Sequence, residues 1–192
     1  MTDPTLTDIT MLLDRSGSMQ SIKDDTVGGF AAFIERQRTQ PGTCRVTLAQ
    51  FDDWYDVVYT ARDVADVPPM DLVPRGSTVL LDAIGRVVAE TGERMSATPE
   101  AERPGAVIVG IMTDGMENAS RECTADVIRT VITRQEEQDG RTFLYLGADQ
   151  DAITVGGRME LPADRSMTYS PGRAAAAWAA RSAASFTEGP AP

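Results

Sequence analysis

The chain contains no histidine. Without imidazole there is no Ser-His-Asp triad, no Cys-His dyad and no imidazole zinc site. The usual hydrolase and zinc-enzyme chemistries therefore lose their central residue. Cysteine is nearly as scarce. Cys44 and Cys123 lie far apart and outside any CxxC pair, so neither a thiolate metal site nor a disulfide framework is implied. They read as two buried free thiols. Lysine is almost missing: Lys23 is the only one among 18 basic residues, which looks like GC-biased codon usage and carries no clear stability meaning. No stretch reaches the roughly 18 apolar residues of a membrane span. The opening MTDPTLTDIT has neither a basic nor a usable apolar region of a signal peptide. A soluble protein without membrane insertion is the expectation, cytoplasmic or, if phage-encoded, in a phage particle.

What is present is acidic. The formal net charge is -11 and the pI is near 4.4. Binding to phosphate needs a basic face, so nucleic acid and anionic membranes are poor partners. An acidic chain suits cations, and equally serves solubility. With 192 residues, 42% of them apolar, a single core can bury roughly 70% of the unfolded surface. One domain over 1–192 is expected, with a core of about 6–150, a C-terminal strand and helix within 151–186, and a tail at 187–192.

The elements follow from periodicity. DITMLL at 8–13 reads as a buried strand, and 20–38 as a helix in which Gly28-Gly29 could permit close packing. RVTLAQFD at 45–52 and WYDVVYTA at 54–61 alternate and form a hairpin, with one strand expected at the sheet edge. A turn-rich loop follows, then a helix over 78–97. AVIVGIM at 106–112 is an unbroken apolar run, the mark of a strand covered on both faces. A helix over 124–139 and a strand over 142–147 come next. Residues 150–158 read as a short helix, 166–169 as a last strand and 172–186 as a final helix. The order predicts an α/β fold: a doubly wound, mostly parallel central sheet with one antiparallel edge strand and helices on both faces.

In such a sheet ligands bind beyond the carboxyl ends of the strands. Two strands there end in acidic loops, DRSGS at 14–18 and TDG at 113–115, and GST at 76–78 precedes a helix. Asp14, Ser16, Ser18, Thr78 and Asp114 are all oxygen donors. Oxygen donors with few charges suit a hard divalent ion, Mg²⁺ best, with Ca²⁺ or Mn²⁺ as alternatives.

DRSGS matches the DxSxS motif of von Willebrand factor A domains. The threonine of GST and the aspartate of TDG resemble the second-loop threonine and third-loop aspartate of that family, in its order, over about residues 6–150. DRSGSM with IMTDGMENAS looks like the small standalone bacterial and phage members. Ser77 stands where a glycine is often found, and the segment after 150 matches less well. The resemblance implies a metal-ion-dependent adhesion site in which Asp14, Ser16, Ser18, Thr78 and Asp114 hold Mg²⁺, directly or through water. A protein partner's acidic side chain would complete the shell. The implied role is a binding module for assembly or regulation of a larger complex, with no catalytic residues. The alternatives are a scaffold of a phage particle or other self-assembly, and a Mg²⁺-dependent phosphohydrolase. The latter lacks a P-loop and a histidine base, and Asp14 is followed by Arg15 and Ser16 rather than opening a DxD pattern.

Simpler readings stand beside these. Asp14, Ser16, Ser18 and Thr78 could be helix caps, and Asp114 a turn residue. Asp52-Asp53 and Asp149-Asp151 read as solvated loop charge, with a second cation site as the alternative. Asp82 reads as a helix residue favoured by the dipole. Trp54, Tyr55 and Trp178 read as packing residues. Glu117-Asn118 fall on the rim of the site.

Overall fold

A computed structural model of the chain describes residues 2–114, 117, 119–148 and 166–169. Strand β1 (Asp3–Asp14) leads to helix α1 (Lys23–Arg38) and then to the hairpin of β2 (Thr43–Phe51) and β3 (Tyr55–Asp63). Helix α2 (Leu80–Ala97), β4 (Pro104–Thr113), helix α3 (Ala125–Asp139), β5 (Thr142–Ala148) and β6 (Ser166–Tyr169) follow. Among the described residues the sheet has six strands in the order β3-β2-β1-β4-β5-β6. Of these, only β2 and β3 pair antiparallel. β3 is the predicted antiparallel edge. The predicted helices at 150–158 and 172–186 lie outside the described residues, as do Asp149, Asp151 and Trp178.

Side chains on a strand alternate between faces, and the core divides on that alternation. Ile9, Met11 and Leu13 of β1 pack with Phe30, Phe33 and Ile34 of α1. Leu12, with Val109 and Ile111 of β4 and Phe143 and Tyr145 of β5, packs with Leu80, Ile84 and Val88 of α2 and Ile128 and Ile132 of α3. The buried residues of α2 recur at three- and four-residue spacing, so one stripe of the helix covers the sheet. Each fully buried aliphatic side chain stabilises the fold by about 1.5–3 kcal/mol.

Three local readings change. The expected helix from 20 is a 3-10 turn over Gly17–Ile22, and α1 begins only at Lys23. The Met19 amide donates to the Ser16 carbonyl at 3.1 Å, an i→i+3 bond that tightens the chain before the α-helical ladder starts. Gly28 is not a packing glycine, because a Cβ there would touch nothing. The turn-rich segment after β3 is part of the core: Val64, Val67, Met70 and Leu72 are buried on the α1 side. The Arg38 side chain anchors it through the Val64, Ala65 and Val67 carbonyls.

The chain runs outward from β1 through β2 and β3, then returns to place β4 on the other side of β1. The crevice at such a reversal is where open α/β sheets bind ligands. The carboxyl ends of β1 and β4 carry Asp14 and Thr113, the latter followed by Asp114. Among the described residues no helix is long and apolar enough to cross a membrane.

The opposite end of the sheet depends on Gly42, at φ +90°, where a Cβ would sit 2.4 Å from the Thr5 carbonyl oxygen. Gly42→Ala should lower the unfolding free energy by about 1–3 kcal/mol. Urea denaturation reads this directly, and an unchanged midpoint would contradict the clash.

Candidate functional site

Asp14 is wholly buried at the end of β1. Its carboxylate accepts from the Ser16 amide and from the Thr113 hydroxyl, each at 2.6 Å. Among the described residues no basic side chain pairs with it. The neighbouring Arg15 turns away, to Asp52 and Asp56. Ser16 Oγ and Ser18 Oγ lie 3.1 Å apart, and Ser18 Oγ donates to Asp114 Oδ1 at 2.8 Å. A line of oxygens therefore runs from the first loop to the third.

The second loop is tied to the first through its backbone. The Arg75 amide donates to the Arg15 carbonyl at 2.8 Å, and the Gly17 amide to the Gly76 carbonyl at 3.2 Å. Gly76 has φ +68°, and a Cβ there would fall 2.3 Å from Asp53 Oδ2, so glycine is required. Thr78 is buried two residues on. The three loops thus meet at one edge of the sheet.

The capping alternative does not account for the first loop. Ser16 occupies the N-cap position of the 3-10 turn, yet its side chain makes no capping bond. For α2 the N-cap residue is Val79, not Thr78. Asp114 accepts a hydrogen bond from Ser18 across the site, which a plain turn residue would not do.

Burial pushes the Asp14 carboxyl up to about 6, although the hydrogen bonds from Thr113 and Ser16 pull the other way; the nearby Asp114 charge adds to the rise. An ionised carboxylate in this place lacks a countercharge. The donor set is two carboxylates and three hydroxyls. These five are the residues that could hold a divalent ion, since Mg²⁺ takes one or two carboxylates and keeps waters. Among the described residues, three or more acidic or cysteine side chains nowhere form a metal cluster, so such an ion would rest largely on hydroxyls.

Several neighbours play parts that the residue pattern did not reveal. Asp52 is neither solvated nor a cation ligand. It is 1% exposed and accepts from Arg15 Nε at 2.9 Å, Arg75 Nε at 2.7 Å and the Trp54 amide at 2.8 Å. Burial raises its pKa, but the bonds from Arg75, Trp54 and Arg15 outweigh that and leave it below the usual range. Asp53 accepts from the Ser77 amide at 3.1 Å. Asp82 does more than face a helix dipole. Its carboxylate accepts from the amides of Arg121, Glu122 and Cys123. Glu117 does not project from the rim but turns back to the start of α2, where it accepts from the Leu81 amide.

Trp54 is not a packing residue, being 73% exposed at the hairpin tip. Tyr55 is half-buried, donates to Glu90 at 2.8 Å and lies under the Arg86 guanidinium. Cys44 is buried as expected, Cys123 only half-buried, and both are free thiols.

No protein-family model matches the chain, and no curated protein matches it significantly. Solved structures do. The von Willebrand factor domain of the type V pili tip protein of Porphyromonas gingivalis is similar at 11% identity and a TM-score of 0.63, covering 99% of each chain. The fold is that of a von Willebrand factor type A domain. Proximal thread matrix protein 1 from the mussel byssus shares this vWA-like fold at 17% identity and a TM-score of 0.65, over 91% of this chain and 46% of that one. A von Willebrand factor type A protein from Catenulispora acidiphila does so at 18% identity and a TM-score of 0.58, over 95% and 43%. This chain therefore spans less than half the length of those two proteins.

Asp14 sets a pH dependence in the ion-free protein. A carboxyl raised in the folded state is destabilising when charged, so its contribution worsens as pH climbs from 3.8 to about 6. Asp14→Asn should therefore raise ion-free stability at pH 7, by at most roughly 3 kcal/mol. The gain should vanish near pH 4, and thermal melts at both pH values would show it. Asp52→Asn should act in the opposite sense. It leaves the largely buried Arg15 with the exposed Asp56 as its remaining acid partner, at a cost of about 3 kcal/mol in denaturant titrations at pH 7. A loss below a few tenths would mean that the two arginines are solvated without it.

Proposed function

We propose that this domain is a metal-dependent protein-binding module. Asp14, Ser16, Ser18, Thr78 and Asp114 hold one hard divalent cation, Mg²⁺ first, with Ca²⁺ or Mn²⁺ as alternatives. The observation that carries this reading is the buried Asp14 carboxylate, which has no basic partner among the described residues. It lies on a loop whose hydroxyls lead in line to a second carboxylate. A buried charge of this kind needs a countercharge, and the side chains of Asp14, Ser16, Ser18, Thr78 and Asp114 all offer oxygen rather than nitrogen or sulfur.

When bound, the ion supplies positive charge at the rim and an open coordination position for an outside oxygen. The chain's own part is to orient donors and present surface. Asp14 and Asp114 supply two negative charges, and what stays open to a third carboxylate is a coordination position otherwise filled by water. The fitting ligand is an acidic side chain of a partner protein. Trp54, exposed beside the Asp53–Ser77 contact of the second loop, offers that partner an aromatic surface of the kind enriched at interfaces. Two structures of similar fold belong, by their names, to a byssus thread matrix and a pilus tip. Such a role in holding an assembly together suits a module that binds without turnover. We assign no catalytic residue, since no histidine is present and Lys23 lies on α1, outside the three loops.

Calorimetric titration of chelator-stripped protein with Mg²⁺, Mn²⁺ and Ca²⁺ tests the reading. One-site binding is expected, and Asp14→Ala should abolish it while the protein stays folded. Collapse of the ion-free Asp14→Ala fold would make the aspartate structural and overturn the assignment. Binding of equal strength in that variant would move the ion elsewhere.

A further inference from the structure

Helix α2 begins just after Thr78, and the third loop begins at Asp114. The first four N–H groups of a helix have no partner within it. Val79, at the N-cap of α2, has no side-chain acceptor for them. The third loop supplies acceptors instead. Glu117 Oε2 accepts from the Leu81 amide at 2.9 Å, and Ser120 Oγ from the Asp82 amide at 3.1 Å.

The exchange is reciprocal. The Asp82 carboxylate accepts from the Arg121 amide at 2.8 Å, the Glu122 amide at 2.9 Å and the Cys123 amide at 2.7 Å. Within the loop, Glu117 Oε1 gathers the Ala119 amide at 2.8 Å and the Ser120 amide at 2.6 Å, while the Ser120 hydroxyl donates to Oε2 at 2.6 Å. This works as a capping box does, but between segments 36 residues apart. Packing tightens it independently: a Cβ on Gly85 of α2 would lie 2.6 Å from Cys123 Sγ, so loop and helix meet there without room for a methyl group.

We propose that Glu117 is a positioning residue for the cation site. It touches no ligand of the ion. By capping α2 from the third loop it fixes how far Asp114 stands from Thr78, which would otherwise belong to two independent loops. The proposal rests on the cation reading given above. Asp82 and Ser120 complete the same clamp from either side.

The test uses the full chain and Mg²⁺ alone. Titration calorimetry gives the affinity, and amide hydrogen exchange of the ion-free protein reports the clamp. Glu117→Ala should weaken Mg²⁺ binding by about tenfold, the lower end for residues that orient metal ligands. It should also speed exchange at Leu81 and Asp82. Ser120→Ala should move both readouts the same way by less. Glu117→Gln keeps an acceptor oxygen and should recover part of the affinity. Ile132→Val, in the core under α3, should lower the melting temperature with unchanged affinity, marking what a purely structural loss looks like. Faster exchange in Glu117→Ala with wild-type affinity would overturn the proposal, as would unchanged exchange. A wild-type chain that binds no ion overturns the cation reading and the proposal together. Wild-type binding that Glu117→Ala leaves intact overturns the proposal alone.

Discussion

The Asp52 carboxylate, one oxygen of which is held by both Arg15 and Arg75, is the interaction on which the arrangement of the site depends. Arg15 lies inside the DRSGS loop at the end of β1, and Arg75 opens the loop that leads to Thr78. Asp52 itself leaves β2. One nearly buried anion thus ties three chain segments at the sheet edge. Its carbonyl also accepts from the Val79 amide at 3.2 Å, so backbone and side chain of one residue hold the second loop. Arg15 reaches Asp56 of β3 as well. The hairpin therefore braces the site as well as bounding the sheet.

Around that brace the site keeps its charges unequal. Arg15 and Arg75 are both committed to Asp52, and neither guanidinium is hydrogen-bonded to Asp14 or Asp114. Asp52 is kept ionised by its partners, whereas Asp14 is driven toward neutrality by burial. Two aspartates in neighbouring segments thus carry opposite shifts, one paired with arginines and the other held by the Ser16 amide and the Thr113 hydroxyl. The vWA-like fold makes this workable, because β1 and β4 bring two carboxylates to the same edge while the neighbouring hairpin keeps the arginines.

The fold was legible because its signals are short-range. The alternation of β2 and β3, the apolar run of β4 and the three- and four-residue spacing of α2 each declare an element without reference to the rest. The five candidate oxygen donors were picked out by their motif and its place beside strand ends, and the fold brings their three loops to one edge. What pairs with Asp52 was not, since Arg15 and Arg75 lie 37 and 23 residues away and no local pattern matches an acid to an arginine at such a distance. The direction of Glu117 was hidden for the same reason. It sits on an exposed-looking stretch, and only the fold brings the unpartnered amides of α2 within its reach. Trp54 misled because its size suggests burial, while the hairpin tip around it turns inward through Asp52 and Asp53 and leaves the ring outside.

β1 runs through the middle of the sheet and ends at the site. It is in parallel register with β2 from Leu6↔Thr43 to Asp14↔Phe51 and with β4 from Thr7↔Ala106 to Leu13↔Met112. A pull applied at Asp14 along the strand would meet both ladders lengthwise. Their hydrogen bonds would then bear the load side by side and have to shear together, whereas a pull across a sheet edge peels them one at a time. The place where the chain offers its oxygens is thus also the end of a strand laddered on both sides. A partner tethered there would be anchored to the centre of the domain rather than to its skin.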